Sequence, residues 1–368
     1  MIKFFDLDRQ YKIVGRDFIK ALKVIMSKGE FILGKETLLF EKEFADFCQT
    51  RYAVGVNSGT DALFLSLKCL NIGYGDEVIV PALTFISTSF AVTNSGAKPV
   101  FVDIDEATYN LDPKNIENAI TKKTKAIIPV HLFGLCANMP EILRIAKKYN
   151  LSVIEDACQA HGAKIKENFA GSMGNLGCFS FYPTKNLSAF GDAGLITTNS
   201  KKNYSILLKL RDCGRGKLRY SHNIVGYNSR LDNVQALFLR LKLNHLAKWN
   251  QRRINIANLY IENLKDLRNI VLPFVPENYK HVFHIFAIRS KKRKKIIEAL
   301  QQNKIPYGIY YHLPLHLQPA NRYLEYKKGQ FPVAEKICQE IFALPIHPSL
   351  KEDEIKKVIR VIKEVLNG

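Results

Sequence analysis

The sequence contains no run of about 18 or more apolar residues, the length a helix needs to cross a bilayer. Its opening, Met1–Lys12, carries no continuous apolar segment of the kind a secretory leader needs. The chain is therefore expected to be neither secreted nor membrane-spanning. The seven cysteines (Cys48, Cys69, Cys136, Cys158, Cys178, Cys213 and Cys338) form no C-x-x-C pair, and their odd number excludes a complete set of internal disulfides. They read as reduced thiols of a cytoplasmic protein. Internal repeats and low-complexity tracts are absent, and the histidine spacing indicates no metal site.

What is present is a chain of 368 residues, 47% of them hydrophobic, enough for one large domain and a smaller one. The formal charge of +20 raises the question of a polyanion partner. The basic residues, however, are spread along the chain, and the densest cluster, Lys291–Lys295, opens an amphipathic segment and reads as a solvated helix face. No nucleic-acid partner is expected. A basic surface does help to draw in a substrate carrying phosphates.

Short apolar runs alternate with helical spacing from residue 52 onward: Tyr52–Val56, Glu77–Val80, Pro99–Asp103, Ala126–His131 and Ser152–Glu155 read as strands. That alternation predicts an α/β fold with a mostly parallel central sheet. Each strand ends in small or polar residues, and ligands of open α/β sheets bind beyond the carboxyl ends of strands, so these ends nominate one site. A helical pattern runs from Arg230 to about Leu264, and Pro273 and Pro276 follow it. The domain boundary is placed in that helix near residue 245, giving a large domain over 1–245 and a small C-terminal α/β domain over 246–368. Within the latter, Val282–Ile288 and Tyr307–Tyr311 are predicted as strands, with Lys291–Asn303 and Asp353–Leu366 as helices.

Three segments carry chemistry. Val56–Leu63 joins a strand to a helix start, where free N–H groups favour an anion, Gly59 permits close backbone approach and Thr60 adds a hydroxyl; the same residues also make an ordinary N-cap. Glu155 and Asp156 are adjacent carboxylates at a strand end, a pattern shared with exposed turns. Lys185 follows the apolar strand Gly177–Phe181 among small, aromatic and amide side chains, and burial there would lower its pKa and free a neutral amine for Schiff-base chemistry.

With these segments in order, the sequence resembles, end to end, the DegT/DnrJ/EryC1/StrS family of sugar aminotransferases, of the pyridoxal-phosphate-dependent transferase fold type I. The resemblance rests on Phe5–Leu7, Gly34–Glu36, Ser58–Leu63, Gly73–Ile79, Pro129–Gly134, Glu155–Gly162 and Ser180–Asn186. It implies pyridoxal 5'-phosphate as cofactor, carried on Lys185 as a Schiff base, with Lys185 then moving the proton between cofactor and substrate carbons. It also implies Asp156 at the pyridinium nitrogen, Gln159 beside the phenolic oxygen, Phe85 stacked on the ring, and Gly59, Thr60 and Ser180 around the phosphate. Asn228, in the loop Gly226–Asp232, is implied to reach the phosphate in the other subunit, making a homodimer with shared active sites. Arg230 is assigned to the donor carboxylate, against a surface ion pair. Lys217, Arg219, Tyr220, Tyr310 and His312 lie where the family contacts the nucleotide-sugar.

The implied reaction moves an amino group from L-glutamate to a nucleotide-linked keto-sugar, with ping-pong kinetics. The form of the loop Asn228–Asp232 points to carbon 3 of a dTDP-3-keto-6-deoxyhexose, in the making of surface glycans such as O-antigens or of glycosylated natural products. UDP-linked 3-keto sugars and 4-keto sugars stay open. A dehydratase on this fold has a histidine in place of Lys185. A non-catalytic basic protein or cofactor-sensing regulator is expected to carry a separate nucleic-acid-binding domain, for which the early start of the likeness leaves no room.

Overall fold

The computed structural model describes residues 2–216, 218 and 220–367. Its main sheet is built from strands β1 (Tyr52–Val56), β2 (Glu77–Pro81), β3 (Lys98–Val102), β4 (Thr124–Ile127) and β5 (Ser152–Asp156). A small hairpin, β6 (Lys164–Ile165) and β7 (Asn168–Phe169), precedes the last two strands of that sheet, β8 (Leu176–Ser180) and β9 (Gly194–Thr198). The order across it is β1-β9-β8-β5-β4-β2-β3. β2, β3, β4, β5 and β8 pair in parallel, whereas β9 runs antiparallel to both β1 and β8.

These strands are nearly continuous apolar runs because both faces are covered. Helices α1 (Leu7–Lys28), α2 (Lys35–Cys48), α3 (Gly59–Cys69), α4 (Ser87–Ser95), α5 (Met139–Lys148) and α6 (Lys201–Arg211) come from the same part of the chain. Val54, Val78, Val80 and Ile154 join a cluster with Leu63 and Leu67 of α3. Ile79, Ile127 and Val153 join another with Phe40 and Phe44 of α2 and Ile142 of α5. Residues alternating along one strand thus feed opposite layers, as the two-residue period of a strand requires.

Helix α7 (Asn233–Leu264) continues unbroken through residue 245. Ala236, Leu239 and Leu246 belong to the core beside the main sheet, whereas Ile256, Ala257, Tyr260 and Leu264 belong to a separate cluster. That second cluster is completed by β11 (Phe286–Arg289), α8 (Arg293–Gln302), β12 (Ile341–Leu344) and α10 (Glu352–Asn367), while α9 (Pro332–Glu340) packs with the cluster of Val54 and Leu63. β11 and β12 pair antiparallel, and β10 (Tyr279–Lys280) extends the small hairpin.

The strand predicted over Val282–Ile288 begins only at Phe286. Val282 and Ile285 instead donate their N–H groups to the carbonyls of Gly134 and Phe133, in an irregular stretch. The strand predicted over Tyr307–Tyr311 is a single bridge, Gly308 to Ala343. Pro306 has no N–H to extend that pairing, and Tyr310 and Tyr311 turn to line a cavity.

Candidate active site

A cavity of about 420 Å³ opens beyond the carboxyl ends of β1, β2, β5 and β8, the position the strand ends nominated. At one end lies the start of α3. Ser58 caps that helix, its hydroxyl accepting from the N–H of Asp61 at 3.1 Å. Gly59 is held so close to the neighbouring strand that a Cβ there would lie 2.6 Å from the Cβ of Ser180. Thr60 donates to Ser87, at the start of α4, at 2.9 Å. Hydroxyls from Ser58, Thr60, Ser87 and Ser180 therefore surround the positive end of the α3 dipole, an anion site by its donors and its field. Gly194, which opens β9, passes so near that a Cβ would lie 2.2 Å from the carbonyl oxygen of Ser58; only glycine lets the antiparallel strand enter there.

At the end of β5, strand alternation separates the two adjacent carboxylates. Asp156 faces the cavity. It accepts from the Thr88 hydroxyl at 2.8 Å and from the N–H of Cys158 at 3.2 Å, and Thr84 lies 3.2 Å behind Thr88. Glu155 points the other way and has no exposure. Its oxygens take the N–H groups of Gly171, Met173 and Gly174 at 2.6–2.8 Å. His131 Nδ1 accepts from the N–H of Ala137, so the proton sits on Nε2, which donates to Glu155 at 2.8 Å.

Lys185 lies in the irregular segment between β8 and β9 and also lines the cavity. Burial pushes the pKa of its amine down from the ordinary lysine value, while Cys158 and Asp156 oppose that shift. The buried, neutral His284 stands in the same wall, its pKa held well below the usual histidine value by burial and by the charges of Lys185 and Arg253. Gln159 accepts from the N–H of Phe133 at 2.8 Å and donates to the Tyr311 hydroxyl at 3.4 Å, which leaves its amide fixed in orientation. Phe85 is 53% exposed although it lines the cavity, so its ring offers an open apolar face. Tyr310, Tyr311 and Tyr182 complete the aromatic wall.

The structure thus brings together Gly59, Thr60, Phe85, Asp156, Gln159, Ser180, Lys185 and Tyr310 around one cavity. Asn228, Arg230, Tyr220 and His312 do not line it. Asn228 is exposed, and the neighbouring Ser229 is buried and donates to Asp61 of α3 at 2.6 Å. Arg230 pairs with Asp212 at 3.2 Å, and both His312 and Tyr220 are exposed. Lys217 and Arg219 lie outside the described residues. Residues that the sequence reading passed over are Thr88, Cys158, Ser87, His284 and Phe133. Thr88 had one signal, its place four residues after Thr84 at the start of a helix that follows a strand.

The cavity fits pyridoxal phosphate. An amine with a lowered pKa, a carboxylate held by two donors, an exposed aromatic face and a cup of hydroxyls at a helix N-terminus match the cofactor's aldehyde, ring nitrogen, ring and phosphate.

The chain matches the model of the DegT/DnrJ/EryC1/StrS aminotransferase family over residues 12–363. It is 41% identical to a pleiotropic regulatory protein of Geobacillus stearothermophilus, over 99% of this chain and 98% of that protein. Identity is 42% with a UDP-N-acetyl-3-dehydro-alpha-D-glucosamine 3-aminotransferase of Acidithiobacillus ferrooxidans, over 100% and 98% of the two chains. With a dTDP-3-amino-3,6-dideoxy-alpha-D-galactopyranose transaminase of Aneurinibacillus thermoaerophilus it is 43%, over 98% and 99%. Among solved structures, S. venezuelae DesV in complex with a ketimine intermediate superposes with a TM-score of 0.97 at 39% identity, covering 100% of this chain and 99% of that one.

Proposed function

This chain belongs to the DegT/DnrJ/EryC1/StrS aminotransferase family, and on that premise we propose that it is a pyridoxal-phosphate-dependent aminotransferase that moves an amino group from L-glutamate to carbon 3 of a nucleotide-linked keto-sugar. The observation that carries this reading is the meeting of Lys185, Asp156 and the α3 N-terminus on one cavity. When bound, pyridoxal phosphate supplies a ring that accepts the electron pair left on carbon as a proton departs.

Each side chain has a task set by its surroundings. Lys185, its pKa lowered by burial, offers the neutral amine that holds the cofactor and, once released, carries the proton from one carbon to the other. Asp156, fixed by Thr88 and the Cys158 N–H, keeps a proton on the ring nitrogen. Thr60, Ser180 and the N–H groups at Gly59 would receive the phosphate, Gln159 would hold the phenolic oxygen, and Phe85 would offer its ring to the cofactor's. Retention of lysine at 185 supports amino transfer over dehydration.

Asn228 acts across a homodimer in this reading. The outward display of Asn228 beside a buried anchor, Ser229, supports that assignment. Arg230 would leave Asp212 to meet the donor carboxylate. Lys217, Arg219, Tyr220, Tyr310 and His312 are the proposed nucleotide-sugar contacts. Among the described residues no helix is long and apolar enough to cross a membrane, and we place the enzyme in the cytoplasm, making amino sugars for surface glycans or glycosylated natural products.

A dTDP-linked 3-keto-6-deoxyhexose is the first choice of acceptor. The similarity to an aminotransferase named for a UDP-linked sugar supports a second reading, a UDP-3-keto sugar. Incubation with glutamate and each keto-sugar in turn, with the aminated product identified by mass and by NMR, tests both. Amination of the dTDP substrate alone is expected; turnover of neither class overturns the sugar assignment.

A further inference from the structure

The segment carrying Lys185 has little backbone structure of its own. Between β8 and β9 its backbone bonds include Lys185 N–H to Tyr182 and Ala189 N–H to Phe181, at 2.8 and 2.7 Å. Yet Asn186, Leu187, Ser188 and Ala189 are all buried. Its shape is held by side chains of α7. Gln235 accepts from the N–H of Phe190 at 2.7 Å, Lys242 donates to the hydroxyl of Ser188, and Asn250 accepts from the amide of Asn186 at 2.9 Å. The three α7 residues stand seven and eight positions apart, so successive grips fall about two turns apart on one side of the helix. They meet alternate residues of the segment, beginning one position after Lys185.

Lys242 is the costly member of this row. It is 2% exposed, with its ammonium 5.1 Å from the Phe238 ring centre and 5.7 Å from that of Trp249. Among the described residues no carboxylate pairs with it. Burial brings its pKa down to about 7, and Arg253 adds to that shift. A desolvated, unpaired charge is a poor way to gain stability, since an apolar side chain of the same volume serves as well or better. What methionine would not supply is a hydrogen bond that fixes where Ser188 sits.

We propose that α7 positions Lys185 through the row Gln235, Lys242 and Asn250, and that Lys242 acts as a positioning residue by tying down Ser188. The row runs on into the helical stretch where Arg253 donates to the carbonyls of Phe283 and Ile346. The neighbouring His284 meets Asn186 at 3.3 Å. The lysine segment and the part of the cavity wall that carries His284 are thereby referenced to one helix.

The inference rests on the reading of Lys185 as the cofactor's anchor, and the test separates the two. In the full chain with Lys242→Met, three quantities are measured: the thermal midpoint, amide hydrogen exchange over residues 186–190 without cofactor, and the rate at which added pyridoxal phosphate produces a visible absorbance band. The midpoint is expected to hold or rise, exchange over 186–190 to quicken and cofactor capture to slow, each by about tenfold. Ser188→Ala, which removes only a hydroxyl, is expected to repeat both changes even if Lys242→Met does not fold. Unchanged exchange and capture in Ser188→Ala would overturn the proposal. So would a fall in midpoint with protection lost evenly along the chain. If wild type captures no cofactor while exchange still quickens in the variants, positioning of the segment stands and the anchor reading fails.

Discussion

Glu155 and Asp156 are consecutive residues of β5, and their surroundings differ in one respect: how completely the carboxylate is satisfied by the fold. Glu155 takes three backbone N–H groups and the imidazole of His131, with no surface left. Asp156 takes one hydroxyl and one N–H and keeps a side toward the cavity. A saturated buried acid holds a loop in place; an acid with a side toward an open cavity is available to a ligand. The same contrast separates the fully packed strand interiors from the strand ends, where hydroxyls, amide and amine converge on one space.

Asp156→Asn should sharpen that contrast most. It preserves shape but not charge, and amino transfer is expected to fall by about 10² to 10⁴-fold while the thermal midpoint stays at the wild-type value. A matching loss of midpoint would erase the distinction between the two acids. Glu155→Ala should do the reverse. It strands His131 and three N–H groups, and unfolding in denaturant is expected to show a loss of about 3–5 kcal/mol.

A smaller effect is expected at Thr88. Thr88→Val removes one of the two donors to Asp156 and should cost about tenfold in turnover with the KM for glutamate little changed, while Thr88→Ser restores it. An equal loss in both variants would mean that packing rather than the hydroxyl matters. A further effect, on stability rather than turnover, lies away from the cavity. The pKa of Lys242 is lowered from 10.5 to about 7 in the fold, so the unfolded chain binds more protons between those values. Stability should therefore rise with pH across that window. Lys242→Met should flatten this part of the profile relative to wild type; parallel profiles would count against burial of the charge.

Much of the main sheet was legible in the sequence because parallel strands covered on both faces are apolar runs with small residues at their ends. Lys185, Asp156 and the α3 start stood at such ends. The antiparallel course of β9 was not legible, since Gly194 earns its place only through the passing carbonyl of Ser58. Nor was Tyr307–Tyr311 as an irregular wall: its aromatic composition mimics a strand, and only Pro306 speaks against it. His284 and the α7 row act through contacts between residues distant in sequence, and local pattern carries no trace of them; Thr88 offered only its spacing from Thr84. Asn228 shows the limit from the other side, because it is exposed in this chain and its proposed task needs a second subunit.

The central claim is that Lys185 holds pyridoxal phosphate and passes an amino group from glutamate. Absorbance spectra of wild type and Lys185→Ala with pyridoxal phosphate, before and after addition of L-glutamate, test it most directly. The account predicts a visible band in wild type that collapses toward the near-ultraviolet with glutamate, and no such band in Lys185→Ala. A wild type that binds no cofactor, or an alanine variant with an unchanged band, would contradict it.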